Sequence, residues 1–499
     1  MPDPSRARAG LLPCLLAWGS CWAWACAADP AAGRPVTAAG HPAAIQAVSP
    51  AHPPTPEPPG ADGAPPPAHD AVSPPDGGVA VADSGIAMAD GGVATADPET
   101  APEPPLIVPV PIEDPGRAAL RTFHAALTRA AAGDGQARIA FFGASHVASD
   151  LFTDVIRRRL QARFGDAGPG FVPVAKPWRW HRHGRIEYMR SRALSGLRVK
   201  ARAPKHERYG LAGVAMASGD KRGIARLRIR PTDDPAGTVD HLELYYLKQP
   251  GGGRMRVLID GDGVKTIATG ADAPTAAYER FEFEAGTPEL ELRTLADGPV
   301  RIFGVVAERS VPGVVLDTLG IPGSRARYHL HWEDTLYREH LARRRPDLVV
   351  LAYGTNESGD DDVPIAAYEK RLRKVLQRIK EVAPATSCLL VGPSDRPRRI
   401  EEDTYEPRPR TGLLVESQRR LSAEFGCGFF DLVGFMGGPM SMVRWVAADP
   451  RLGAPDHVHY TRRGYEALGE RLHDALLEGY EPMAAEPAAT SSSGTPRTP

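Results

Sequence analysis

Two short runs of almost unbroken apolar residues, 139–142 (Ile-Ala-Phe-Phe) and 348–352 (Leu-Val-Val-Leu-Ala), constrain this chain most. A half-exposed strand alternates apolar and polar side chains, whereas a strand that is apolar throughout needs cover on both faces. Each run precedes residues at helical spacing. After the first run the chain turns through Gly143-Ala-Ser145, and Leu151, Val155, Ile156 and Leu160 mark a helix from about 149 to 163. After the second, a helix is expected at 365–382. The same rhythm predicts strands at 314–316, 388–391 and 428–432, and helices at 117–132, 327–344, 412–425 and 462–477. Strands alternating with helices imply a parallel sheet covered on both faces.

Between 169 and 312 the helical period disappears. Short strand-like runs at 225–229, 242–247, 255–259, 281–283, 290–292 and 300–303 are punctuated by turn signals such as Gly251-Gly-Gly and Asp260-Gly-Asp-Gly. This pattern predicts an antiparallel sandwich or jelly roll. An all-β module at 169–312 is therefore expected inside an α/β domain made of 116–168 and 313–480.

The ends read differently. Arg6 and Arg8 precede an apolar run that contains Ala25-Cys26-Ala27, so 1–28 reads as a secretory signal peptide. The alternative is an uncleaved membrane anchor, and Cys21 or Cys26 is a lesser candidate for lipidation. Residues 29–115 are rich in Ala, Pro and Gly and carry a seven-residue repeat starting at Asp76, Asp83 and Asp90. Too little apolar surface is present there to offset the entropy of ordering, so a spacer is expected. The tail 481–499 reads the same way. An exported protein is expected, in the periplasm, cell envelope or medium, with wall or membrane attachment through the N-terminus as an option. Beyond the signal only Cys388 and Cys427 remain, and nothing in the sequence says whether they pair. The formal net charge is −1, which disfavours nucleic acid as a partner.

Four segments stand at strand ends: Gly143-Ala-Ser145, Gly320-Ile-Pro-Gly323, Gly354-Thr-Asn356-Glu357 and Asp456-His-Val-His459. A serine hydroxyl needs a base, and His459 can supply it. Asp456, three residues earlier, can hold the imidazole in one tautomer. The Ser145 and Gly323 N–H groups and the Asn356 amide are candidate oxyanion donors. Taken singly, Ser145 could be a helix cap, Asn356 and Gly323 turn residues, and His459 a surface residue. His146 and His457 flank the group without ligands at metal spacing, so neither metal nor cofactor is expected. Ser394 reads as a turn. Trp178 and Trp180, in Trp-Arg-Trp-His-Arg-His, are weak candidates for stacking on sugar, against a packed connection between domains.

In that order these segments resemble the SGNH (GDSL-type) hydrolases, whose four blocks centre on a Ser, a Gly, an Asn and an Asp-x-x-His. The run Gly143-Ala-Ser-His-Val-Ala-Ser-Asp-Leu-Phe, with Arg163-Phe-Gly-Asp-Ala-Gly-Pro-Gly-Phe, is similar to the peptidoglycan O-acetylesterase branch. The resemblance covers about 117–166 and 313–478. It implies a flavodoxin-like doubly wound sheet, and for the insert a carbohydrate-binding-like module. It also implies a serine esterase that removes O-acetyl groups from a polysaccharide such as peptidoglycan. Two other functions share these residues: an O-acetyltransferase with the same site, and a wall-binding protein whose esterase site is vestigial. Ala144 stands where the family usually has Asp, and Glu357 where Asp is frequent.

Overall fold

The computed structural model describes residues 105–189, 191–200, 207–219, 221–232 and 237–481. The expected signal at 1–28, the repeats and the tail beyond 481 lie outside the described residues. The expected spacer, however, ends earlier than 115. Residues 105–115 run along the α/β part: the strand Ile112–Glu113 pairs antiparallel with Gly428–Phe430. The Leu106 carbonyl accepts the Trp445 indole N–H at 2.5 Å. Val108, Val110 and Ile112 supply the apolar positions that a low-complexity reading passes over.

The main sheet has six strands in the order Ile112–Glu113, Gly428–Phe430, Ser387–Val391, Leu348–Ala352, Gln136–Gly143, Gly313–Gly320. All neighbours are parallel except the first pair. Numbered along the chain without the antiparallel edge strand, the five parallel strands lie in the order 2-1-3-4-5, a doubly wound arrangement. The expected apolar runs are its centre: every residue of 348–351 is buried, and so is every residue of 139–143. The helices Arg121–Ala131, Phe152–Phe164 and Arg462–Leu477 bury Phe123, Ile156 and Leu472 in one apolar cluster. On the other face Asp334–Arg344, Ile365–Val382 and Pro409–Glu424 bury Leu341, Val375 and Leu414 in a second.

Register settles where the loops meet. Gly320 pairs with Gly143, Gly143 with Ala352, Ala352 with Val391, and Val391 with Phe430. The carboxyl ends of five strands thus form one row, and the segments after them share one edge. Ligands of open α/β sheets bind outside that edge where the strand order reverses. Here the reversal falls at Gln136–Gly143, between Leu348–Ala352 and Gly313–Gly320.

The insert consists of two antiparallel sheets, one of five strands and one of six, the sixth being Gly170–Val172. Leu227, Val257 and Leu292 from the first and Leu244, Tyr246 and Val305 from the second share one buried cluster. On its other side, the six-stranded sheet presents Tyr245, Leu247 and Phe303 to Trp332, Leu336 and Leu341 of the α/β part. Charges cross this seam as well. Arg344 donates to both Asp317 and Glu308, and Arg138 to Glu308 at 2.9 and 2.7 Å. Burial alone would raise the Glu308 pKa, but Arg344 and Arg138 outweigh it and hold it at about 2. Cys388 and Cys427 form a disulfide between adjacent strands.

Candidate active site

Ser145 opens the short helix Ser145–Ala148 directly after the central strand. The turn is tight: a Cβ on Gly320 would lie 2.2 Å from the Ala148 nitrogen, so only glycine lets the neighbouring strand come this close. The expected helix 149–163 is the single helix Phe152–Phe164, set off from the short helix Ser145–Ala148 by a bend at Asp150, which has φ +46°. That bend is held by a buried carboxylate. Asp150 accepts from Thr153, Arg157, Thr318 and the Gly184 N–H at 2.7–3.3 Å. Burial opposes its charge, yet Arg157 and then His183 keep its carboxyl well below the usual carboxylate range. Asp150 therefore ties the serine turn to the next strand and to the insert.

His459 reaches the serine from the far end of the chain. Its Nε2 lies 2.9 Å from Ser145 Oγ, across 314 positions of sequence, and its Nδ1 lies 2.6 Å from Asp456 Oδ2. The other Asp456 oxygen accepts the N–H groups of Val458 and His459 at 3.0 and 2.9 Å. Burial would raise the Asp456 pKa; the bonds from His459 and the two backbone donors lower it well below the usual range. A carboxylate that stays ionised holds the Nδ1 proton and leaves Nε2 free to accept from the serine. The site is open, with the side chains of His459 and Asp456 39% and 52% exposed. A cleft of about 540 Å³ lies at the opposite, amino ends of the strands, lined by Gln136, Arg138 and Arg344 among others, away from this group.

Gly323 is exposed, has φ +74°, and has open space where a Cβ would be. The Asn356 amide donates to the Ser324 carbonyl at 2.9 Å, which brings its loop against the Gly323 loop. An amide nitrogen carries two hydrogens, and this bond occupies one. Glu357 clamps the same two loops from beneath. Buried, it accepts from the Ala326 N–H at 2.8 Å and the Gly354 N–H at 3.1 Å. Burial raises its pKa against these bonds. Ala144 is buried in the apolar cluster on one face of the sheet.

Sequence reasoning set His146 and Ser394 aside and passed over Tyr405. His146 is buried behind His459, with its Nδ1 3.0 Å from Tyr465 Oη and its Nε2 3.4 Å from Ser394 Oγ. Burial, then repulsion from His459, lowers its pKa to about 3, so it is neutral. Ser394 is more than a turn: it bonds Thr355 Oγ1 at 3.0 Å through its hydroxyl and through its N–H. Tyr405 stacks on His457 with centroids 4.1 Å apart. Only proximity in the fold links these residues, so spacing carried no signal. The two tryptophans separate. Trp178 packs against the apolar cluster, whereas Trp180 is 70% exposed beneath the Arg179 guanidinium. Among the described residues no three His, Cys, Asp or Glu side chains form a group that could hold a metal.

Residues 292–467 match the model of the GDSL-like Lipase/Acylhydrolase family. The match takes in Gly323, Asn356, Asp456 and His459 and begins after Ser145, which the insert separates from them. No curated protein matches the chain. Among solved structures, a peptidoglycan O-acetylesterase shares the fold: identity is 24%, 74% of this chain and 99% of that chain are covered, and the TM-score is 0.62. A family two carbohydrate esterase from Cellvibrio japonicus is more distant, at 11% identity, 62% and 97% coverage and a TM-score of 0.24. A salicylyl-acyltransferase from a tetracycline biosynthetic pathway aligns at 16% identity, 59% and 99% coverage and a TM-score of 0.27.

Proposed function

Given that this chain is a carboxylic ester hydrolase of the GDSL-like lipase/acylhydrolase type, we propose that it removes O-acetyl groups from a polysaccharide outside the cytoplasm, with peptidoglycan the leading substrate. The observation that carries this reading is the unbroken chain from Ser145 Oγ through His459 to Asp456, 2.9 and 2.6 Å long. Ser145 attacks the acetyl carbonyl carbon while His459 Nε2 takes its proton. The negative charge on the carbonyl oxygen is met by the N–H groups of Ser145 and Gly323 and by the Asn356 amide. The tetrahedral intermediate collapses when His459 returns the proton to the departing sugar oxygen, leaving acetyl-Ser145. Water, deprotonated by His459, then releases acetate and restores the serine.

Three features support the substrate class. The site lies on an open surface, as a polymer needs. The shared fold with a peptidoglycan O-acetylesterase covers the insert as well as the α/β part, and we read the insert as carbohydrate-binding-like. The exposed Trp180 ring offers a sugar-stacking face. Export is supported by the leader-like sequence and by the disulfide between Cys388 and Cys427, which persists in oxidising compartments. The intact hydrogen-bond chain favours an active enzyme over a vestigial site despite Ala144.

Ser145→Ala tests the reading. It is expected to lower acetate release from an activated acetate ester by roughly 10⁴-fold or more, with the thermal midpoint kept. Full activity in that variant would sink the assignment. Acetate release from O-acetylated peptidoglycan, acetylated xylan and longer acyl esters then ranks the substrates; preference for long acyl chains would turn the reading towards a lipase.

A further inference from the structure

The segment that follows the strand Ser387–Val391 touches both loops of the site. At its base Arg396 donates to the Thr355 carbonyl at 3.2 Å, one residue before Asn356. The chain then forms the hairpin Arg398–Glu401 with Thr404–Glu406. It returns to place Tyr405 on His457, with Tyr405 Oη 3.1 Å from His457 Nδ1, beside Asp456. One arm therefore touches both the Asn356 loop and the His459 loop.

Charges at its base do not balance. Arg325 and Arg327 pair with Asp360, and Arg408 with Asp361. Arg396 makes no carboxylate pair among the described residues, and the Arg408 guanidinium is drawn to its carbonyl at 3.4 Å. The carboxylates of Glu401, Glu402 and Asp403 stand exposed at the other end of the hairpin. Half-buried and held by one neutral carbonyl, Arg396 feels Asp360 and Asp361 only from beyond ion-pair distance, because both are engaged by Arg325, Arg327 and Arg408. Burial, then repulsion from Arg408 and Arg325, outweighs the attraction of Asp360 and Asp361 and weakens its hold on its proton. Such a guanidinium keeps donors in reserve, and a planar fork of this kind suits a carboxylate.

We propose that Arg396 is a specificity-determining residue that binds a carboxylate of the substrate beside the ester, so that the enzyme selects an acidic acetylated glycan over a neutral one. This rests on the esterase reading of the site, and it adds which glycans that site accepts. The carboxylates of the peptide stems of peptidoglycan, and of its lactyl groups where a stem has been removed, are of the required kind; xylan without acidic branches has none.

The test compares acetylated glycan fragments that carry a free carboxylate with the same fragments after amidation, using the native protein, Arg396→Gln and Arg396→Lys. The native enzyme is expected to prefer the free carboxylate. Arg396→Gln is expected to raise KM for the acidic fragment by roughly tenfold, about the strength of one charge-assisted hydrogen bond, more than it lowers kcat, and to erase the preference. Arg396→Lys restores part of it. Equal losses on both fragments would make Arg396 a support of the Asn356 loop and overturn the proposal, as would a native enzyme without preference. Calorimetric binding of the de-O-acetylated acidic fragment needs no hydrolysis. Arg396-dependent binding without any esterase activity would sink the esterase reading alone; hydrolysis without Arg396-dependent discrimination would sink the present proposal alone.

Discussion

Glu357 holds two backbone N–H groups on one buried carboxylate and so sets the spacing of the Gly323 and Asn356 loops. Glutamine in its place can accept only through its carbonyl oxygen, and its NH₂ would face a second donor. One buried N–H left unpaired costs about 1–3 kcal/mol. Glu357→Gln is therefore expected to lower kcat/KM on a small acetate ester by roughly tenfold to a hundredfold, as the proposed oxyanion donors move apart, with a matching fall in the unfolding midpoint. Unchanged kinetics would show that the loops hold their spacing without it. Ser145, Asp456 and His459 were legible because their signals are local: a serine at a strand end, and an acid three residues before a histidine. Glu357 and Asp150 were not legible as supports. A buried carboxylate looks like any surface one until its donors, 31 residues away for Ala326 and 34 for Gly184, are brought to it.

Most elements could be placed from periodicity. The helices Ile365–Val382 and Arg462–Leu477 lie where spacing put them, because their apolar stripes are unbroken. The predicted helix 327–344 is instead the 3₁₀ turn Ala326–Leu330 followed by Asp334–Arg344, whose first turn Glu333 caps by accepting from Thr335 and Leu336. The hairpin after Ser387–Val391 escaped notice, since its strands are short, charged and exposed. Pairing of Cys388 with Cys427 was unreadable until the sheet placed Leu389 opposite Gly428, which sets the two cysteines side by side. The bond closes a separation of 39 residues, for which loop entropy predicts about 2–4 kcal/mol. Replacing both cysteines with serine is expected to lower Tm by roughly 5–10 °C without loss of activity at 25 °C. An unaltered Tm would show that the strands need no such link.

At the scale of the whole molecule, five histidines among the described residues have their pKa pushed down to about 3 or 4 by burial and stand neutral. Burial lowers the pKa of His146, His183, His329 and His340 to about 3, and of His181 to about 4, from an ordinary 6.5. The unfolded chain binds protons at these positions as pH drops below 6.5, whereas the folded chain refuses them until pH 3–4. The stability from these groups is thus complete above pH 6.5 and is lost as pH falls through that window, by at most about 1.4 kcal/mol per pH unit for each histidine. A urea midpoint that drops steeply between pH 7 and pH 5 is expected. A flat midpoint over that range would mean that these rings are hydrated or paired in the folded state.

The sequence by itself determined the alternation of strands and helices, the interruption by β structure, and the local chemistry of the Asp456–His459 pair. All of these depend on neighbours within a few positions, where periodicity and spacing carry the physics. Only the tertiary structure decided that five strand ends align in one row, that His459 meets Ser145, and that Arg396 donates to the carbonyl just before Asn356 without a carboxylate at ion-pair distance. Those facts depend on register and burial, which bring together residues that share no pattern along the chain.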